Sequence, residues 1–182
     1  MTTLQSFSKC WRWNTGTTDT TDIHQTPDGL YLRGQHNGTH YWLLADKAFR
    51  TQWVKVWQMA ASERIAEKHL VRQAGGWRDA ATQTHIPNSH SALDADIGCT
   101  AATNTLPINR LALSVGETRD INVLYVPVPS LTPQIARQRY SRHRGGYTYE
   151  NLTLGFSSRI EVDSSGWVTE YPTVWRLIEG PQ

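Results

Sequence analysis

The chain has 182 residues, a formal net charge of +2 and two cysteines. This length fits a single domain, 1–182, and so small a charge favours neither nucleic acid nor an anionic membrane as a partner. Two cysteines make no disulfide framework, so Cys10 and Cys99 are expected to be reduced thiols in a cytoplasmic protein. We expect no secretory signal and no membrane-spanning segment, because no run of roughly 18 apolar residues occurs.

The first half of the chain alternates short strand-like runs with turn residues. Pro27-Asp28-Gly29 predicts a turn, and Asn37-Gly38 predicts a tight hairpin between two such runs. Predicted strands cover 30–33, 39–44, 51–57, 65–71 and the residues from Trp77 onward. In the third of these strands, Trp53 and Trp57 share one face with Lys55.

The second half continues this pattern, with one exception. Predicted strands cover 121–126, 146–149, 152–162 and 167–177. The exception is 106–115, where Pro107 suits a first helical turn, Thr105 could act as the cap and Gly116 could end the helix. The sequence therefore predicts a mainly β fold, in which a curled antiparallel sheet forms an open half-barrel or β-roll, or else closes as a barrel or sandwich. One short helix is expected near 106–115.

Two carboxylates one residue apart, Asp94 and Asp96, are the strongest candidates for chemistry. On a strand, their side chains would point to the same side, close enough to share a proton, hold a cation or bind sugar hydroxyls. Alternatively, one carboxylate caps a turn and the other is solvated. Arg110 either pairs with Asp96 through its planar guanidinium or meets an anionic head group. Asn104 adds a further polar group beside the predicted helix.

The remaining motifs give no support to catalysis. His85 and His90 lie near the aspartates, but HExxH is absent, so neither a metal nor a cofactor is expected. The phosphate-binding and hydrolase patterns GxxxxGK[ST], GxGxxG and GxSxG are also absent. The arginine-rich run 137–144 is interpreted as the solvated face of a strand, because the whole chain is nearly neutral. These observations favour a binding protein over an enzyme.

The segment 92–113 resembles a bacterial family of unknown function that is named for putative glycolipid binding. It has an aspartate pair, a linker of small residues, and then Asn-Thr-Leu-Pro-Ile followed by an arginine. Further blocks agree in order along the chain: Arg50-Thr51, 54–56, Gly76-Trp77, 126–129, 138–140, 166–168 and Tyr171-Pro172. The resemblance implies an open half-barrel similar to that of lipoprotein localisation factors, with a concave face for a hydrophobic ligand. It implies no catalytic residues.

Two functions are therefore considered. The first is non-enzymatic binding of an amphipathic ligand, such as a glycolipid, on the concave face of the sheet. The ligand-binding residues expected for it are Trp42, Trp53 and Trp57 for the acyl part, and Asp94, Asp96, Asn104, Arg110 and Tyr171 for the head group. The alternative is a hydrolase-like enzyme acting on a glycosylated or phosphorylated small molecule, with Asp96 as base and Asp94 or Arg110 assisting.

Overall fold

The computed structural model describes residues 5–178, which form one sheet of fourteen strands and one short helix. The strands are β1 (Gln5–Trp13), β2 (Thr18–Thr26), β3 (Gly29–His36), β4 (Thr39–Asp46), β5 (Thr51–Ala60), β6 (Glu63–Gln73), β7 (Gly76–Asp79), β8 (Asp94–Ile97), β9 (Thr118–Val126), β10 (Gln134–His143), β11 (Gly146–Asn151), β12 (Phe156–Val162), β13 (Val168–Tyr171) and β14 (Trp175–Ile178). A 3-10 turn, Ala102–Asn104, leads directly into the helix α1, Thr105–Leu111. The ends of the predicted domain 1–182 lie outside the described residues, and its extent stays a prediction.

Two antiparallel meanders, β1 to β7 and β9 to β14, make up most of the sheet, and β8 is added at the edge beside β9. Its strand order is β7-β6-β5-β4-β3-β2-β1-β14-β13-β12-β11-β10-β9-β8, so β1 pairs with β14 where the meanders meet. The edge strand β8 is parallel to β9, and the other strand pairs are antiparallel. Within residues 5–178 the edge strands β7 and β8 do not pair with each other, so the curled sheet stays open. The predicted open half-barrel is confirmed, and the closed barrel is not formed.

Alternation along the strands separates a buried inner face from an outer face. In β4, Tyr41 and Leu43 have no exposed surface, whereas the alternate residues Trp42 and Leu44 are only half-buried on the opposite side. The inner faces of both meanders meet in one hydrophobic core. Cys99 belongs to this core as a small buried side chain, and its thiol is free.

The hairpin predicted at Asn37-Gly38 is confirmed. Both residues have positive φ angles, 44° and 76°, as a two-residue turn between antiparallel strands requires. The turn joins β3 to β4 and pairs His36 with Thr39. Because such a turn fixes the register of the strands on either side, it also decides that Tyr41 and Leu43 face the core.

The predicted helix is present but ends earlier than expected. It runs from Thr105 to Leu111, and Ala112 ends it in the left-handed conformation, with φ 45°. The predicted end at Gly116 is wrong, because its backbone N–H donates to the Arg142 carbonyl (2.9 Å) and joins the sheet instead. The predicted cap is also wrong, since Thr105 is the first residue of α1 and the preceding Asn104 already has helical dihedral angles.

We expect Gly34→Ala to destabilise the protein by about 1–3 kcal/mol, because there is no room for a methyl group at this position. The ring of Tyr41 lies directly across Gly34 on the inner face, so an added Cβ would overlap it. Gly75→Ala is the matched control, since nothing lies within 4 Å of the Cβ that it would introduce. Urea denaturation of both variants measures the difference, and equal midpoints would contradict the expectation.

Candidate functional site

A cavity of about 260 Å³ lies between the two meanders, on the inner face of the sheet. Its polar lining residues are Asp96, Thr100, Asn104, Tyr125, Tyr149, Asn151 and Tyr171. Its other lining residues are Trp13, Ile97, Gly98, Leu154, Phe156, Val174 and Trp175. A second recess, of about 380 Å³, shares Trp13, Tyr171, Val174 and Trp175 with the cavity. The two recesses therefore share one wall, and the second recess differs from the cavity in having the charged side chains of Arg12, Glu170 and Arg176 in its lining.

Asp96 is the one carboxylate in the lining of this cavity. Its Oδ2 accepts hydrogen bonds from Gln138 Nε2 (2.6 Å) and from the Tyr149 hydroxyl (3.4 Å), and its Oδ1 accepts one from Thr103 Oγ1 (3.2 Å). Burial raises the pKa of the Asp96 carboxyl, and these neutral donors offset the rise only in part. Asp96 is therefore a hydrogen-bond acceptor in the cavity, and among the described residues it forms no ion pair, unlike Asp94.

Asp94, by contrast, is occupied by an internal ion pair. Arg110 Nε donates to Asp94 Oδ1 (3.1 Å) and Arg110 Nη2 donates to Oδ2 (2.5 Å), while only 1% of Asp94 is exposed. Burial raises the pKa of Asp94 by more than Arg110 lowers it. The expected planar fork is present, but it joins α1 to Asp94 and not to Asp96. Neither Asp94 nor Arg110 lines the cavity. Of the two predicted acids, Asp94 therefore holds α1 through its ion pair, and only Asp96 faces the cavity.

Asn104 continues the polar lining into the core. Its Nδ2 donates to the Tyr140 hydroxyl (2.9 Å), which in turn donates to Gln138 Oε1 (3.5 Å), the same amide that bonds Asp96. Burial raises the pKa of the Tyr140 hydroxyl well above its usual range, and the hydroxyls of Tyr149 and Tyr171 shift the same way. These hydroxyls therefore remain neutral, and Gln138, Tyr149 and Thr103 bond the Asp96 carboxyl as uncharged donors.

The three predicted acyl-binding tryptophans lie on the other side of the sheet. Trp42, Trp53 and Trp57 point outward, because the alternating residues Val54 and Val56 are completely buried on the inner face. The structure therefore does not bring them together with Asp96, Asn104 and Tyr171. The aromatic part of the cavity is formed by other residues: Trp13, Tyr125, Tyr149, Phe156, Tyr171 and Trp175. Sequence reasoning missed Trp13 because β1 had not been predicted as a strand.

A further buried acid, Asp19, lies close to the cavity. Its Oδ1 accepts from the Tyr41 hydroxyl (2.8 Å) and its Oδ2 accepts from Thr100 Oγ1 (2.5 Å), and Thr100 itself lines the cavity. Burial raises the pKa of Asp19 to about 7, since the two hydroxyl donors offset only part of the desolvation. Asp19 is not among the predicted site residues, because the run TTDTTD has the composition of an exposed polar segment.

The described residues offer few other sites. Between residues 5 and 178, no group of three or more His, Cys, Asp or Glu side chains is placed to hold a metal ion. His85 instead contacts the Gly75 carbonyl (2.9 Å between Nε2 and O). In the arginine-rich run, Arg137 and Arg139 both donate to Asp120 on an exposed strand face. No helix in this part of the chain has the length and apolar character that crossing a bilayer requires.

Fold and site together define a class of protein: an open, curled β-sheet with an aromatic cavity on its inner face and a partly buried carboxyl group in the cavity lining. The chain belongs to the family described as putative glycolipid-binding, whose family model matches residues 15–177. It is also similar to the crystal structure of a DUF1089 family protein from Pseudomonas aeruginosa, with a TM-score of 0.69 and 26% identity over 96% of this chain and 93% of that chain. Comparison with curated proteins finds no match. The predicted family resemblance is confirmed.

Proposed function

We propose that the inner-face cavity binds an amphipathic ligand with an uncharged, hydroxyl-rich head group, such as a glycolipid. The observation that carries this proposal is the lining of the cavity, which combines one carboxylate and several neutral polar groups with aromatic rings and contains no lysine or arginine. Sugar hydroxyls can donate to Asp96 and accept from Asn104. A phosphate would find no cation in this lining with which to pair.

The apolar part of the ligand has a separate place to bind. Leu154 and Phe156 line the cavity and are 51% and 39% exposed, so both side chains still have apolar surface that a ligand could cover. Trp13 and Trp175 pack against each other at 4.4 Å between ring centroids and line both the cavity and the adjoining recess. An acyl chain lying along these four side chains would remove them from water, and that burial supplies the hydrophobic part of the binding energy.

We expect Asp96→Asn to weaken binding of a glycosylated lipid by about tenfold, because the amide replaces one acceptor oxygen of the site with an NH2 group that cannot accept from a sugar hydroxyl. The measurement is a tryptophan-fluorescence titration with a monoglycosyl diacylglycerol. Asp28→Asn is the matched control, because Asp28 is exposed in the β2–β3 turn.

Native mass spectrometry with lipid extraction gives an independent test of the same proposal. The expected result is a bound lipid whose head group carries no net negative charge. If the protein binds no lipid from a panel of glycolipids and phospholipids, the proposal fails. If an anionic phospholipid binds as tightly as the glycosylated lipid, the assignment of the head group fails.

The hydrolase-like alternative receives no support from this arrangement. It required Asp94 or Arg110 to assist Asp96, and those two residues are paired with each other outside the cavity.

The predicted cytoplasmic location stays a prediction, which cell fractionation would test.

A further inference from the structure

The outer face of the sheet carries a separate recess of about 200 Å³, on strands β2 to β5. Its lining includes the outward-pointing side chains of Asp22, Arg33, Gln35, His40, Trp42 and Trp57. Because side chains alternate between the two faces of a strand, these residues point away from the core and from the inner-face cavity. The proposed lipid site does not use any of them.

Two indole rings form a corner in this recess. Trp42 and Trp57 meet edge to face, with 5.3 Å between ring centroids and 86° between planes. His40 stacks on Trp57 at 5.4 Å and 12°. Rings that hold one another in this way lose little additional conformational freedom when a ligand binds, which makes them good contact surfaces. Trp42 is half-buried, so part of its ring is still open to a ligand.

Asp22 and Arg33 stand beside these rings without pairing with each other. They are direct cross-strand partners in the register of β2 and β3, yet among the described residues neither takes part in an ion pair. Asp22 Oδ1 accepts from Ser8 Oγ (2.7 Å), and the guanidinium of Arg33 lies 5.9 Å from the centroid of the Trp42 ring. A carboxylate has about four acceptor positions and a guanidinium has five N–H donors, so both retain capacity for a ligand.

We propose that this outer recess is a saccharide-binding site, in which one sugar ring lies on Trp42 and bonds its hydroxyls to Asp22, Arg33 and Gln35. One negative and one positive side chain balance the charge, as suits a neutral polyol that both donates and accepts hydrogen bonds. The recess is smaller than the roughly 300–1,000 Å³ of pockets for drug-sized ligands, so it suits a single ring. The inference goes beyond the proposed lipid binding, because it concerns the opposite face and needs no acyl chain.

Saturation-transfer NMR with the methyl glycosides of glucose, galactose, mannose and N-acetylglucosamine tests the proposal. We expect transfer to at least one glycoside in the unmodified protein, and a loss of affinity of about tenfold in both Trp42→Ala and Asp22→Asn. Trp53→Ala is the matched control, since Trp53 is also an outward-facing tryptophan but lies outside the recess, and it should bind normally. Asp22→Asn preserves the size of an exposed side chain, so its result does not depend on whether Trp42→Ala folds.

Three outcomes would overturn the saccharide site. One is the absence of transfer to every glycoside, and another is unchanged affinity in Asp22→Asn and Trp42→Ala. The third is a loss of glycoside binding in Asp96→Asn that leaves both outer-face variants unaffected, because the sugar would then bind in the inner cavity. Lipid titration of the same variants separates the two proposals: Trp42→Ala should leave lipid binding unchanged, and a failure of lipid binding alone leaves the outer site standing.

Discussion

Arg110→Ala should lower the free energy of unfolding by about 3–5 kcal/mol, since it removes one partner of a buried ion pair and leaves the other partner without its counter-charge. Asp94 is 1% exposed and receives two hydrogen bonds from the Arg110 guanidinium. In the variant, Asp94 must either remain charged in the core or take up a proton, and both cost free energy at neutral pH. Chemical denaturation of the variant and the unmodified protein measures this difference.

A second pair of the same chemistry provides the control for this effect. Arg139 also donates twice to one carboxylate, Asp120, but both side chains of this pair are substantially exposed. Arg139→Ala should therefore change stability by no more than about 1 kcal/mol. Adding Asp94→Asn to Arg110→Ala should recover part of the loss, because the amide carries no charge to desolvate. Similar losses in Arg110→Ala and Arg139→Ala would contradict this account of the buried pair.

Asp19 should contribute stability that is lost as the pH rises from about 4 to about 7. Its pKa is 3.8 in the unfolded reference and about 7 in the fold, so between these values the folded protein holds a proton that the unfolded chain has released. This contribution is complete below pH 3.8 and is lost as the pH rises through the folded value. At 1.36 kcal/mol per pKa unit, the loss amounts to at most about 4 kcal/mol.

Asp19→Asn isolates this contribution. The amide has nearly the shape of the acid and no charge at any pH, so the difference in stability between variant and unmodified protein should shift in favour of the variant as the pH rises from about 4 to about 8. Thermal or urea unfolding across that range gives the two curves. Asp28→Asn, in the exposed β2–β3 turn, should produce a curve parallel to that of the unmodified protein. Parallel curves for Asp19→Asn would show that this carboxyl is not the source of the pH dependence.

The expectations that held in this protein depend on short stretches of chain. Asn37-Gly38 forms the predicted turn because the preference for positive φ resides in those two residues. The strand at 51–57 was recognised from its alternation, which is a property of adjacent side chains. The helix lost its predicted last turn, because residues near Gly116 bond to Arg142 on β10, a partner that local spacing does not reveal.

In the candidate site, too, distant contacts decided what neighbouring residues could not reveal. Sequence marked Asp94 and Asp96 equally, yet only Asp96 lines the cavity, because α1 brings Arg110, 16 residues away in sequence, to Asp94. Asp19 was overlooked, because its partner Thr100 is 81 residues distant in sequence. The sequence by itself determined the Asn37-Gly38 turn, several of the alternating strands and the family, whereas β1 was not predicted and the strand predicted at 167–177 is two strands, β13 and β14. Only the tertiary structure decided which face became the inside and which acid remained free, because burial and pairing depend on strands that meet from distant parts of the chain.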